Sequence, residues 1–245
     1  KNGMSADNGT NLFYFITCHH VTIRNLIVDG NRANRSPVGE KTTYNLNFED
    51  CEFVTLENVK SINSCIDGFY FNATDVNDTS TYCKNIVMTN CIADNSFRQG
   101  MSIIHGYGIT VTGGEFTNTN GTAPQAGIDI EADAATSTSG DNVNKIIKIS
   151  GARFFGNIGT GVVVSGQDNE GITIEGCEFY DNDGGACDIT SHTVFRGNYI
   201  HDHATCSLNA LVTIGASAYA NGSVISENRF ISNSVAKPCI YTHAA

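Results

Sequence analysis

The sequence lacks long apolar runs and is poor in proline and charge. A membrane-spanning helix needs about 18 or more consecutive apolar residues, and no stretch of this sequence has them, so we expect no membrane partner. Only 3 of the 245 residues are proline and 16% are charged, whereas glycine occurs 25 times. This composition is typical of a turn-rich β protein, and a hydrophobic fraction of 40% is ample for one continuous core.

Positive charge is also scarce. Lysine and arginine together number 14 against 25 aspartates and glutamates, which gives a net charge of −11. Nucleic-acid binding needs a basic surface that neutralises phosphates, so we expect no nucleic-acid partner. The acidic balance also disfavours a strongly anionic glycan, unless loops concentrate arginine locally.

The nine cysteines form no Cys-x-x-Cys motif. A secreted disulfide scaffold normally pairs all its cysteines, which an odd number prevents, and structural zinc sites favour closely spaced pairs. We predict thiols that are mostly reduced and buried, as suits folding in a bacterial cytoplasm, with no metal site and no cofactor. Cys18, Cys51 and Cys83 are expected to stack in successive coils, and Cys91 and Cys177 to share another column.

An internal repeat determines the expected fold. In each copy an alternating apolar strand leads to Asn or Gly, which tolerate a left-handed backbone, and an inward apolar residue follows. The turn column contains Asn25, Asn58, Asn90, Gly113, Gly151, Gly176 and Gly197, with Glu227 as its exception. The inward column contains Val28, Ala93, Phe116, Phe154, Phe179, Ile200 and Phe230.

A second strand follows in each copy, as in GFYFN from Gly68 and GIDIE from Gly127. The repeats are too short for four-stranded propeller blades, whereas stacked coils bury one continuous core. We therefore predict an all-β, right-handed, single-stranded parallel β-helix of about eight or nine coils. Residues 1–245 should form a single domain that is a fragment of a longer chain. We expect this solenoid to have a groove walled by loops at about 32–43, 73–85, 119–126 and 132–145.

Three carboxylates on the outward face of the second strand are the candidate catalytic residues: Asp129, Glu131 and Asp188. Strand and coil spacings place Asp129 about 7 Å from Glu131 and about 10 Å from Asp188. Inverting glycoside hydrolysis uses paired carboxylates at about 6.5–9.5 Å, one as acid and one as base. The face is expected to be solvated, and the candidate substrate-binding residues around it are His105, Arg98, Tyr70, Ser102 and His192.

The coil pattern resembles the pectate-lyase-like superfamily of β-helices. The segment GIDIEAD, from Gly127 to Asp133, is similar to a Gly-Ile-Asp-Ile-Glu segment of many bacteriophage tailspike depolymerases. The resemblance implies a homotrimer on a virion or outside the cell that cleaves capsule or lipopolysaccharide, with Asp129 and Glu131 as catalytic acids. The chain shows neither the virion-attachment region nor the carboxy-terminal trimerisation region of a full tailspike.

Three functions remain open from the sequence. The first is a glycoside hydrolase that cuts a polysaccharide internally. The second is a polysaccharide lyase or uronate epimerase, in which Arg98, His105, Tyr107 and His192 could supply the base that takes the sugar C5 proton and the group that neutralises the uronate carboxylate. Tyr107 does not continue into the Asp-Pro-His signature expected of alginate epimerases. The third is a non-catalytic glycan-binding shaft.

Overall fold

The computed structural model describes residues 11–35, 43–132, 144–166, 169–215, 220–231 and 237–243. These residues form 25 strands in three sheets, and the strand pairings are parallel throughout. Each of eight coils adds one strand to each sheet, and a ninth coil contributes its first strand. The chain is a right-handed parallel β-helix, as the repeat predicts, since parallel connections of this kind are right-handed.

The strands are short, as expected for coils that turn sharply between three sheets. Sheet 1 contains Phe13–Ile16, Leu46–Glu49, Phe69–Asn72, Met101–Ile103, Ile128–Glu131, Val162–Ser165, Cys187–Ile189, Val212–Ile214 and Ile240–Thr242. Sheet 2 contains Thr22–Arg24, Glu52–Glu57, Cys83–Thr89, Gly106–Thr112, Lys145–Ser150, Ile172–Glu175, Thr193–Arg196 and Val224–Ser226. Sheet 3 contains Ile27–Asp29, Lys60–Ile62, Ile92–Asp94, Glu115–Thr117, Arg153–Phe155, Glu178–Tyr180, Tyr199–His201 and Arg229–Phe230.

The corner between sheets 2 and 3 has the same length in all eight coils, with two residues between the strands. The first of the two has a positive φ in every coil, from 50° at Asn90 to 64° at Gly113 and Gly151. The predicted Asn/Gly column is therefore confirmed. Glu227 breaks the composition of the column but keeps its backbone conformation, with a φ of 58°. Cys91 and Cys177 both occupy the second corner position and are buried, as predicted.

The inward column of sheet 3 stacks along the core. Phe116, Phe154 and Phe179 are fully buried, and their ring centroids are 5.6 Å and 4.8 Å apart in successive coils. Such aromatic pairs contribute about 0.5–1.5 kcal/mol each beyond the burial of their area. The register also places Ser61, which the sequence template omitted, between Val28 and Ala93 in this column.

The corner from sheet 3 into sheet 1 is tight because successive backbones touch there. A Cβ atom on Gly68 would lie 2.5 Å from the carbonyl oxygen of Gly100, and one on Gly100 would lie 2.5 Å from that of Gly127. Any side chain at these positions would push neighbouring coils apart. Because the coils are so close at these glycines, the residue before each glycine is held at the edge of sheet 1.

Most of the cysteines fill core positions. The predicted stack of Cys18, Cys51 and Cys83 follows from the register, because Cys51 Sγ contacts the Phe15 carbonyl and Cys83 Sγ contacts the equivalent Phe48 carbonyl one coil on. Burial raises the pKa of Cys51 to about 11 and that of Cys83 to about 12. All nine thiols are free in the structure.

The longer connections lie on both sides of sheet 1. The 3₁₀ helix Arg32–Asn34 precedes the second strand of sheet 1, and the 3₁₀ helix Thr79–Thr81 follows its third strand. Much of the predicted loops at 32–43 and 132–145 lies outside the described residues. Within the described part of the chain, no helix is long and apolar enough to cross a membrane.

Candidate functional site

The outward row of sheet 1 runs as the sequence predicts. Asp129 pairs with Ser102 on one side and Val163 on the other, and Val163 pairs with Asp188. Glu131 follows Asp129 by two residues on the same strand and therefore on the same face. The complete row is Tyr14, Asn47, Tyr70, Ser102, Asp129, Val163, Asp188, Thr213 and Tyr241.

The prediction that this face is solvated is wrong in its middle. Asp129 is only 1% exposed, Ser102 is fully buried and Tyr70 is 8% exposed. Glu131 and Asp188 are half-buried. Strand alternation places these side chains outside the core of the solenoid, but other residues then cover them.

A small apolar cluster outside sheet 1 forms part of the cover. The ring of Tyr44 stacks on that of Tyr70 with centroids 4.0 Å apart. Ile66 and Ile104 pack with them, and Phe97 lies partly buried at the margin. The segments before the strands of sheet 1 therefore fold back over its outer face.

A buried polar network lies beside that cluster. Asp67, which is fully buried, accepts hydrogen bonds from the Gln99 backbone N–H at 3.0 Å and from Ser102 Oγ at 2.8 Å. The side-chain Nε2 of Gln99 donates to Asp129 Oδ2 at 2.6 Å. Gln99 therefore connects the two buried aspartates. We call Asp67, Arg98, Gln99, Ser102, Asp129 and Glu131 the carboxylate cluster.

The cluster strongly perturbs Asp129. Burial, together with the negative charge of Glu131, raises its pKa from 3.8 to about 8. The positive charge of Arg98 opposes this shift, Asp67 adds to it, and the hydrogen bond from Gln99 opposes it. Asp129 is therefore a neutral carboxylic acid at pH 7.

Oδ1 is the oxygen of Asp129 that is available to carry the proton. Oδ2 accepts the Gln99 amide, whereas Oδ1 is buried and has no hydrogen-bond partner among the described residues. A protonated Oδ1 would be an unengaged donor. A neutral acid next to the negative charge of Glu131 is the arrangement that general acid–base chemistry requires.

Asp188 lies farther along the face. Val163 separates it from Asp129, so two coil spacings place the two carboxylates about 9.6 Å apart. Burial raises the pKa of Asp188, and the charge of His243 opposes that rise. The structure thus joins Asp129 and Glu131 in one cluster and leaves Asp188 beside it.

The five predicted binding residues fall into two groups. Ser102 and Arg98 belong to the carboxylate cluster, and Tyr70 adjoins it in the same row. His105 lies at the other edge of sheet 1, where its fully buried ring bonds to Asn72 Oδ1 at 2.7 Å. His192 directly precedes the sheet 2 strand Thr193–Arg196, three coils after His105, so it lies apart from the cluster.

Sequence reasoning missed Asp67 and Gln99. Each directly precedes a glycine, Gly68 or Gly100, of the tight corner into sheet 1. The outward columns considered from sequence began after that corner. Comparing the residues before these glycines would have placed Asp67 and Gln99 at the same edge as Asp129. No group of three His, Cys, Asp or Glu residues in the described part of the chain is arranged to hold a metal ion.

Comparisons with known proteins agree with the fold. A family model described as a right-handed beta helix region matches residues 136–244. The A-module of mannuronan C-5 epimerase AlgE6 from Azotobacter vinelandii has a TM-score of 0.56 at 13% identity, over 95% of this chain and 76% of that one. The AlgE4 A-module of the same organism has a TM-score of 0.47 at 15% identity, over 95% and 74%. No curated protein sequence matches the chain.

Proposed function

We propose that this chain is a polysaccharide-processing enzyme that hydrolyses a bacterial surface glycan at the carboxylate cluster. The supporting observation is the pairing of Asp129, a neutral acid at pH 7, with the charged Glu131 two residues away on one strand face. About 7 Å between such positions lies within the range that inverting hydrolysis uses.

The reaction assigns one role to each carboxyl. Asp129 gives its proton to the glycosidic oxygen as the bond to the anomeric carbon breaks. Glu131 takes a proton from a water molecule whose oxygen attacks that carbon from the other side. The products together contain one added water, and proton exchange with solvent restores both groups. Because Asp129 is only 1% exposed, covering side chains must move before the glycan can reach its carboxyl group.

A uronate-directed lyase or epimerase is the second candidate. The positive charge of Arg98 acts on Asp129, and a cation beside a neutral acid suits the carboxylate of a uronate sugar. The solved structures similar to this chain include mannuronan C-5 epimerase modules. In this version Asp129 donates a hydrogen bond to the uronate carboxylate, and a separate base removes the C5 proton.

The proposal includes a setting outside the cell. The resemblance of GIDIEAD to tailspike depolymerases supports a homotrimer on a virion or in the extracellular space that meets its polysaccharide at the bacterial surface. Size-exclusion chromatography with light scattering of the chain in its full-length context would test the trimer, and a monomer there would contradict it.

The chemistry is tested by digesting a panel of bacterial capsules and lipopolysaccharides in ordinary and deuterated water. Hydrolysis predicts fragments that carry one added water and show no new ultraviolet absorbance. A lyase instead gives unsaturated ends that absorb, and an epimerase gives an uncut product that carries deuterium. If no glycan is changed, the enzyme proposal is wrong and the non-catalytic shaft is favoured.

A further inference from the structure

A groove lies outside the carboxylate cluster, at the corner where the chain passes from sheet 1 to sheet 2. Its volume is about 490 Å³, which lies within the usual range of about 300–1,000 Å³ for small-ligand pockets. One wall is the 3₁₀ helix Thr79–Thr81 with the flanking Asp78 and Tyr82. The other wall is the outer face of sheet 2 at the start of three of its strands.

That face places one aromatic ring between two cations. Tyr107 pairs with Lys84 in the preceding coil and with Lys145 in the following coil, and all three residues line the groove. The Tyr107 side chain is 46% exposed. With coils about 4.8 Å apart, the Cα atoms of the two lysines are about 9.6 Å from each other, one on each side of Tyr107.

Both lysines retain capacity for a ligand. Lys84 Nζ donates one hydrogen bond to the Ser80 carbonyl at 2.7 Å, and an ammonium group carries three donors. Lys145 Nζ lies 3.5 Å from the carboxylate of Glu170, which is an exposed pair of the kind that contributes little. The groove therefore presents two cations in a chain whose net charge is −11.

The opposite wall supplies polar groups of another kind. Asp78 accepts a hydrogen bond from the Ser80 backbone N–H at 2.8 Å, which fixes its carboxylate at the rim. Thr79 and Ser80 bring hydroxyl groups to the same wall. Hydroxyl and carboxylate oxygens suit the many hydroxyls of a sugar, whereas the two lysines on the facing wall supply donors for its acidic groups.

We propose that this groove is a binding subsite for an acidic saccharide. One sugar ring stacks its apolar face on Tyr107, and acidic groups of the same chain lie towards Lys84 and Lys145. This inference rests on the proposed function, because it gives the same polysaccharide a second contact on a different sheet. The groove would hold an acidic polymer while the carboxylate cluster acts elsewhere along it.

The test measures binding of uronate hexamers of galacturonate, glucuronate and mannuronate by isothermal titration calorimetry. The variants are Tyr107→Ala and the double substitution Lys84→Gln with Lys145→Gln. The matched control is Lys60→Gln with Lys148→Gln, which removes the same charge from sheets 3 and 2 away from the groove. Thermal unfolding of each variant checks that the fold is kept.

We expect at least one hexamer to bind the parent protein and both groove variants to weaken it at least about tenfold, equivalent to about 1.4 kcal/mol. The control should stay within about twofold. The methyl ester of the same hexamer, which lacks the negative charges, should bind the parent about as weakly as the acid binds the double lysine variant. Raising the salt concentration should weaken only the acidic ligand.

Three outcomes would overturn the proposal: no hexamer binds the parent protein, the groove variants bind as well as the parent, or the methyl ester binds as well as the acid. The variant Asp129→Asn separates this proposal from the proposed function. Under the hydrolase proposal it should keep most of the hexamer affinity, because Asp129 does not line the groove. Loss of turnover with unchanged binding in Asp129→Asn therefore concerns the carboxylate cluster alone.

Discussion

Asp129 on sheet 1 and Glu175 on sheet 2 are both outward carboxylates on strands of one solenoid, yet their environments are opposite. Burial and Glu131 raise the pKa of Asp129 to about 8. Glu175 is held by Lys148 and Arg196, each at 2.6 Å, and these two cations lower its pKa. The strand pattern places both side chains outside the core. Asp129 differs from Glu175 because the segments around sheet 1 cover it and remove it from water.

The largest expected difference between these two carboxylates is in catalysis. Asp129→Asn and Glu131→Gln keep shape and remove the acid or the base, so each should lower turnover by at least about a hundredfold, since general acid–base help is worth about 10²–10⁴-fold. Binding of the glycan should be largely kept. Initial rates on the glycan that the parent cuts, with affinity measured in parallel, provide the measurement.

Glu175→Gln is the matched control for this prediction, because it removes an outward carboxylate of sheet 2 and leaves sheet 1 intact. Its turnover should equal that of the parent. Asp188→Asn should have a smaller or similar effect to Asp129→Asn, since Val163 separates the two. Near-normal cleavage by both Asp129→Asn and Glu131→Gln would place the catalytic site elsewhere.

The two carboxylates should also differ in how stability depends on pH. The folded pKa of Asp129 is raised above its ordinary value of 3.8, so between about pH 4 and 8 the folded chain holds a proton that the unfolded chain has lost. The free energy of unfolding therefore falls as pH rises, by up to about 1.4 kcal/mol for each pH unit. Asp129→Asn should remove this slope and be more stable than the parent at pH 8, as denaturant titrations at several pH values would show.

For Glu175, the dependence of the free energy of unfolding on pH should have the opposite sign and be smaller. Its folded pKa is lowered, so its contribution is present above the unfolded pKa and is lost as pH falls through the folded pKa. Glu175→Gln should therefore cost only about 0.2–1 kcal/mol between pH 5 and 8, with no slope there, because exposed ion pairs are weak. Equal slopes for the parent and Asp129→Asn would show that Asp129 is not the neutral buried acid described above.

The smallest effect concerns the charges around Asp129. Arg98→Gln removes the cation that opposes the rise in the pKa of Asp129. The alkaline limb of the pH–rate profile should therefore move to higher pH. Asp67→Asn removes a negative charge, so that limb should move to lower pH. Rates measured between pH 6 and 10 would resolve the two directions, and the same shift in both variants would contradict this account of the cluster.

The fold was predictable because its rules are local. A left-handed turn residue appears in each coil, an inward apolar residue follows it in every coil except the one with Ser61, and the structure places Asn25 through Glu227 in one column. Asp129 and Glu131 were also predictable as neighbours, because two residues on one strand share a face. Those features depend on spacing along the chain, which the sequence shows directly.

The burial of the site was not predictable in the same way. Tyr44 and Tyr70 are 26 positions apart in sequence, and their stacking depends on how one segment folds over the next coil. Asp67 and Gln99 meet Asp129 across two successive corners rather than along one strand. His105 and His192 were grouped with the carboxylates because both lie just beyond the ends of strands in sheet 1. In the structure His105 bonds to Asn72, and His192 directly precedes the sheet 2 strand Thr193–Arg196.

The constant length of the corner between sheets 2 and 3 limits where residues can be inserted into this chain. Two residues separate the strands there in every coil, so one inserted residue would reverse which side chains of the following strand point inwards. An insertion after Gly151, for example, would turn Phe154 out of the core and Arg153 into it. The corners beside sheet 1 vary in length without this penalty. New binding specificity can therefore accumulate around sheet 1 while the opposite edge of the solenoid stays constant.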